Sequence, residues 1–328
     1  LNKMVVAAEN ESGSAWLQVR SLGDGLWIVD EGGFVSWYVL AQPDGQRAVA
    51  IDCGWGICQV RPQIEQAVGM PIDAVALTHI HPDHHGAVDE FSEIHLGKKE
   101  WDDHGRHWNA GLPKIKQGRW QPARIFEDMP AARAYPATYD PEVYTRRVAA
   151  GVPQPDFLWN HGDIFTLAGR SCQVVLVPGH TQGHVAWYFP KEQWFFVGDA
   201  LVQHQWWWHL RCRADLVAGQ RGLQAALEVL SVLPDHGLVL PAHGASPLAP
   251  SEVAGWVRAA LDLFARPVPG AACQTPVGPA RRHRLHGTRR GPDTPGSQQP
   301  MAAVDWLVHA DDWQALLADS AFEAGDEP

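Results

Sequence analysis

One short segment restricts this chain more than any other: Thr78-His79-Ile80-His81-Pro82-Asp83-His84-His85-Gly86. It follows Asp73-Ala74-Val75-Ala76-Leu77, an apolar run that reads as a short buried strand. His79 and His81 are two apart, so just beyond a strand both rings can face one side. Asp83 and His84 follow after one proline and can reach a second position nearby. Nitrogen and oxygen donors this dense are costly to bury unless a metal ion takes them. For this segment alone, a polar surface loop is the plain alternative.

Three further elements weigh against a surface loop. Pro178-Gly179-His180-Thr181-Gln182-Gly183-His184, Val197-Gly198-Asp199-Ala200 and Leu240-Pro241-Ala242-His243-Gly244 each follow an apolar strand. Each delivers a candidate ligand at a strand end, beside glycine. Side chains carried on the ends of rigid strands are what a metal centre needs.

The rest of the chain reads as mixed α/β. Strands are expected at Leu26–Val29, Val35–Leu40, Ala48–Ile51, Glu93–Leu96, Ile164–Leu167, Cys172–Val177, Val185–Phe189, Trp194–Val197 and Leu238–Leu240. Helices are expected at Arg61–Val68, Gly222–Leu233 and Ser251–Phe264. Residues 98–159 lose clean periodicity and read as an insertion able to cap a site. Residues 267–300 are dense in Pro, Gly and Arg and read as a linker. Residues 301–328 read as a C-terminal helix packing on the catalytic unit, 1–266.

Composition narrows the function classes. The net charge of -11 disfavours nucleic acid as a partner. The basic cluster Arg281-Arg282-His283-Arg284 with Arg289-Arg290 falls in the expected linker. Five cysteines without a Cys-x-x-Cys pair argue against a disulfide framework and for a reducing, cytoplasmic setting. No apolar run is long enough for a membrane span. A small-molecule substrate is the expected partner, and a homo-oligomer is left open.

Together with Ile51-Asp52-Cys53-Gly54, the elements above resemble, in order, the five motifs of the metallo-β-lactamase superfamily, from about Trp27 to His243. The resemblance implies a four-layer αββα sandwich with an inserted segment. It implies one metal on His79, His81 and His180, and a second on Asp83, His84 and His243. Asp199 would bridge the two, and Asp83 and Asp199 would be the catalytic carboxylates. Asp52 would support the histidine loop without coordinating. His85 and His184 match positions that are not usually ligands and are read as hydrogen-bonding groups. The donor set suits two divalent ions, zinc first, with iron or manganese as alternatives.

The pattern also bears on the branch. True β-lactamases of this fold typically replace His84, use a cysteine near the position of Asp199, or lack the bridging aspartate. This chain keeps Asp83-His84 and Asp199, and is more similar to glyoxalase II-like thioesterases, lactonases and esterases. The expectation is a dinuclear metal-dependent hydrolase of a small ester, lactone or thioester, with a metal-bridging hydroxide as nucleophile. A phosphodiesterase, an iron-dependent redox enzyme and a non-catalytic metal scaffold are the alternatives. The loop Gln203–His209, with Trp206, Trp207 and Trp208, is a candidate aromatic wall. Tyr135, Tyr139 and Tyr144 are candidate hydroxyl donors to an oxyanion.

Overall fold

The computed structural model describes residues 4–6, 16–105, 141–207, 213–265, 271–275, 278–290 and 298–309. One sheet has eight strands in chain order: β1 (Met4–Val6), β2 (Leu17–Gly23), β3 (Leu26–Glu31), β4 (Val35–Ala41), β5 (Ala48–Ile51), β6 (Ile72–Ala76), β7 (Glu93–Gly97) and β8 (Phe157–Trp159). Pairing is antiparallel from β1 to β5 and parallel from β5 to β8. A second sheet comprises β9 (Ile164–Leu167), β10 (Arg170–Leu176), β11 (Val185–Phe189), β12 (Trp194–Gly198) and β14 (Leu238–Pro241), in the order β14-β12-β11-β10-β9. The helical segments are α1 (Arg61–Val68), α2 (Pro82–His85), the short turn α3 (Lys98–Glu100), α4 (Pro141–Ala150), α5 (Arg213–Val232) and α6 (Pro250–Ala265).

Side-chain alternation along the strands builds the layers. In β4, Tyr38 and Leu40 face the second sheet, while Trp37 and Val39 face away from it. In β10, Cys172 and Val174 face the first sheet, while Val175 faces the helices. The layer between the sheets holds Leu26, Ile28 and Ile51 against Trp187, Phe189, Phe196 and Leu240. Ile64 and Val68 of α1 and Tyr144 of α4 cover the outer face of the first sheet. Leu223 and Leu230 of α5, with Trp256 and Phe264 of α6, cover that of the second. The result is the expected αββα sandwich. Much of the high tryptophan content is core packing: Trp16, Trp37, Trp55, Trp101, Trp187, Trp194 and Trp256 are all buried.

Strand direction positions the site. β5 and β6 run parallel in one sheet. In the other, β10 and β12 both lie antiparallel to β11, and β14 lies parallel to β12. The C-terminal ends of β5, β6, β10, β12 and β14 carry all the motifs singled out above. Backbone hydrogen bonds stitch the two groups of ends together: Val185 N–H donates to Thr78 O at 2.9 Å, and Ser36 N–H to Ala242 O at 2.6 Å.

Several expectations are corrected. The expected linker, 267–300, contains β15 (Ala271–Thr275), β16 (Gly278–Arg290) and the start of β17 (Gln298–His309). The expected helix begins instead as the remainder of β17, and residues 310–328 lie outside the described residues. Composition misled here. Pro279 is the second residue of β16, paired with Gln274, and Gly287 falls at a register shift between His286 and Thr288, where a strand tolerates glycine. In β17, Val304, Trp306 and Val308 alternate and suit a strand better than a helix. His204–Trp207, expected as a loop, is strand β13, parallel to β17. These strands form a third sheet, β13-β17-β16-β15, with β16 and β17 packed against α6. Within the expected insertion, 98–159, the structure places α3, α4 and β8, while residues 106–140 lie outside the described residues. Among the described residues, no helix is long and apolar enough to cross a membrane.

One buried acid ties fold to pH. Glu31, fully buried, accepts hydrogen bonds from Trp16 Nε1 at 3.2 Å and Trp55 N at 3.0 Å. Burial pushes its pKa up from 4.5 to about 7, against the pull of those two donors. Between these values the folded chain holds a proton that the unfolded chain has released. Stability therefore falls as pH rises from about 4.5 through 7, by on the order of 3 kcal/mol. Glu31→Gln is expected to flatten this slope in urea denaturation series run from pH 5 to 8. An unchanged slope would refute the assignment.

Candidate metal centre

The structure brings all seven singled-out residues together. His79, His81 and His180 form one donor set, and Asp83, His84 and His243 another. Asp199 joins His79 and His84 in a third, and within each set the donor atoms lie within 4.8 Å of one another. His81 Nδ1 stands 3.0 Å from His79 Nε2 and 2.9 Å from His180 Nε2. Asp199 Oδ2 is 3.2 Å from His180 Nε2, while its Oδ1 is 3.3 Å from both His84 Nε2 and His243 Nε2. Asp83 Oδ2 lies 3.2 Å from His243 Nε2 and 3.7 Å from His84 Nε2. Ligands about 2.0–2.1 Å from a tetrahedral ion stand roughly 3.3 Å apart, so these spacings fit two adjoining metal positions.

The opposite ring nitrogens are anchored. Thr78 Oγ1 is 3.0 Å from His79 Nδ1, Asp52 Oδ2 is 2.9 Å from His84 Nδ1, and Phe34 O is 2.6 Å from His243 Nδ1. Such contacts fix ring orientation and leave Nε2 to face the centre. Asp52, in a left-handed conformation at φ 59°, also accepts from Thr78 N at 2.7 Å and Thr78 Oγ1 at 2.8 Å. It faces the histidine loop and joins none of the donor sets. His184 Nε2 accepts from Asp199 N at 3.2 Å and so orients the aspartate. His85 is buried and joins no donor set. Gly198, at φ 48°, leaves room for this approach: a Cβ there would lie 2.5 Å from Thr78 Oγ1 and 2.9 Å from His184 Nε2.

The electrostatics suit cations. Burial and the neighbouring histidines hold His79 well below the usual imidazole range, so its lone pair is available. Burial opposes charge on His84, but Asp199, Asp83 and Asp52 outweigh it and raise its pKa well above the usual value. His243 is pushed up to about 10 by Asp199 and Asp83 against its own burial. Burial works against ionising Asp83 and Asp199, yet the surrounding histidines keep both carboxyls low. The buried atoms His84 Nε2 and Asp199 Oδ1 make no well-formed hydrogen bond, and Asp199 Oδ1 meets His84 Nε2 and His243 Nε2 at 3.3 Å. Orphaned donor atoms facing one point, amid negative potential, fit a divalent ion.

Other candidates fall elsewhere. Tyr144, a candidate oxyanion donor, is buried beside Trp55 in the core beneath the first sheet; its hydrophobic ring fills the gap under α4. Tyr135, Tyr139 and Trp208 lie outside the described residues, as do the side chains of Trp206 and Trp207. A cavity of about 230 Å³ borders the His180 loop, lined in part by Lys99, Gly179, Gln182 and Asp215. Sequence reasoning missed two buried acids, Glu31 and Glu100. Glu100 follows two lysines in a run that looks like solvated surface.

Comparison with known proteins shows the family. The metallo-beta-lactamase superfamily model matches residues 30–269, and the chain belongs to that family. Human acyl-coenzyme A thioesterase MBLAC2 is 26% identical over 204 residues, covering 57% of this chain and 67% of the relative. A hydroxyacylglutathione hydrolase of Yersinia pestis (strain Pestoides F) is 34% identical over 84 residues; the match spans 26% of this chain and only 30% of that protein. A metallo-beta-lactamase family protein from Thermus thermophilus shares the fold, with TM-score 0.50 and 19% identity over 74% of this chain and 80% of the other.

The role of Asp52 can be measured directly. Asp52→Asn weakens the hold on His84 Nδ1 and is expected to lower metal affinity about 10–100-fold. Competition with a chromophoric chelator reads this, and wild-type affinity in the variant would refute it.

Proposed function

We propose that this chain, a hydrolase of the metallo-beta-lactamase superfamily, cleaves a small ester, lactone or thioester. Two divalent ions, zinc first, would be held by His79, His81 and His180 on one side and Asp83, His84 and His243 on the other. Asp199 would be shared. The observation that carries the reading is Asp199 itself, whose two oxygens face separate histidine groups at 3.2 and 3.3 Å. The relative named as an acyl-coenzyme A thioesterase supports the thioester arm. Three buried free cysteines, Cys53, Cys58 and Cys172, are in keeping with a reducing, cytoplasmic setting.

When bound, such ions supply a water activated at neutral pH and polarise the carbonyl under attack. The chain's own residues organise the rest. His184 fixes Asp199 through its backbone N–H, and Asp52 fixes His84. Asp83, kept ionised by its histidine neighbours, is suited to accept a proton from the attacking water at the oxygen turned away from His243. The acidic chain as a whole repels long polyanions, which sets phosphodiesters of nucleic acid behind carbonyl substrates.

Three measurements test this reading. Elemental analysis of protein purified without chelator is expected to find about two transition-metal ions per chain. A panel of ester, thioester, lactone and nitrophenyl phosphodiester substrates is expected to favour a carbonyl compound, with β-lactams poor. Phosphodiester turnover well above every carbonyl substrate would overturn the substrate class and leave the metal centre standing. Asp199→Asn is expected to lower kcat by orders of magnitude. Near-normal turnover with two metals bound would refute the bridging role.

A further inference from the structure

Glu100 is fully buried, and the family motifs do not include it. It ends α3, immediately beyond β7. Its Oε1 accepts from Ile80 N at 2.8 Å. Its Oε2 accepts from Thr181 Oγ1 at 2.7 Å and Gly183 N at 3.2 Å. Ile80 lies between His79 and His81, and Thr181 follows His180. One carboxylate therefore spans two ligand loops that come from different sheets.

We propose that Glu100 is a positioning residue for the His79, His81 and His180 site. The inference rests on the ligand assignment above. Ile80 N–H sits between two donors of that site, so fixing it fixes the separation of His79 from His81. Thr181 and Gly183 follow His180 in the same loop, so the same side chain sets that loop against the first. The approach is tight: a Cβ on Gly183 would lie 2.1 Å from Glu100 N, so only glycine admits the turn this close. Removing the carboxylate would leave buried N–H groups without an acceptor and free the two loops to separate. Asp52 occupies the matching position for the other site, gripping Thr78 and His84. The division is one-sided: Glu100 holds the two loops of the three-histidine site, whereas Asp52 holds His84 directly and also reaches His79 through Thr78.

The division gives a site-selective test on the full chain. Glu100→Gln keeps the shape but turns an amide N–H₂ toward donors on one side. Its zinc and cobalt affinities are compared in two backgrounds, by chelator competition and by cobalt absorption. His243→Ala reports the three-histidine site, and His180→Ala reports the other. Glu100→Gln is expected to weaken the three-histidine site about 10–100-fold and to leave the other little changed. Thr181→Val, which removes one donor and keeps both backbone contacts, is expected to cause a smaller loss confined to the same site. It carries the test if Glu100→Gln does not fold. Equal losses at both sites, or none at the three-histidine site, would overturn the proposal. Wild-type protein that binds no transition metal would sink the ligand assignment and this inference together. Wild-type protein with two metals and an unaffected Glu100→Gln would sink this inference alone.

Discussion

Trp187, Phe189 and Phe196 of one sheet press on Ile28, Tyr38 and Ile51 of the other in a layer that excludes water. Large side chains buried this way contribute roughly 1.5–3 kcal/mol each, and close packing lets neither sheet slide. The centre depends on that contact. Its donors come from the end of β6 on one side and from the ends of β10, β12 and β14 on the other, while β5 supplies the supporting Asp52. A small slip between sheets would part His180, Asp199 and His243 from His79, His81 and His84, because each donor hangs only a few residues beyond its strand. The cross-sheet bonds from Val185 N to Thr78 O and from Ser36 N to Ala242 O hold the register where the apolar layer ends.

Electrostatics then demand a cation where the packing has converged. Asp52 and Asp199, both buried, and the partly buried Asp83 surround His84, an arrangement that isolated carboxylates do not tolerate. Imidazoles balance them in the bare protein, which is why His84 and His243 hold protons more tightly than usual. A metal ion can replace those protons at the same nitrogens. Binding would then be tied to proton release, and the centre would need no large rearrangement to accept it.

Much of this was legible in the sequence because ligands at a strand end obey local rules. The interval from His79 to His84 is one strand end and one helical turn, and Gly198-Asp199 and Ala242-His243 are single steps beyond buried strands. Enrichment in β-branched and aromatic residues likewise marked β4, β5, β9 and β11, and the apolar face of Ile64, Ala67 and Val68 marked α1, which ends at the left-handed Gly69. Where local and tertiary signals disagree, the reading failed. β16 carries arginine, proline and glycine in proportions that suggest a linker, and only its pairing with β15 and β17 makes it a strand. α5 starts at Arg213, well before the apolar periodicity became clear at Gly222. Tyr144 was a plausible site hydroxyl until packing placed it under α4.

Supporting groups escape sequence reading for a reason that differs from either failure. A ligand must reach a fixed point with a particular atom, so its spacing from neighbouring ligands is constrained and leaves a pattern. A buried acceptor such as Glu100 need only meet backbone N–H groups, and many chain positions can deliver a carboxylate to them. Its neighbours Lys98 and Lys99 pair with Asp102 and Asp103 on the surface, so the local sequence carries the signature of a solvated turn. Only the folded chain shows that the third residue of that run points inward. The same freedom lets an acid outside the shared motifs set the geometry of one metal position while the motifs themselves stay unchanged. Differences among members of the superfamily in how tightly each metal is held can therefore arise from residues that no comparison of motifs would align.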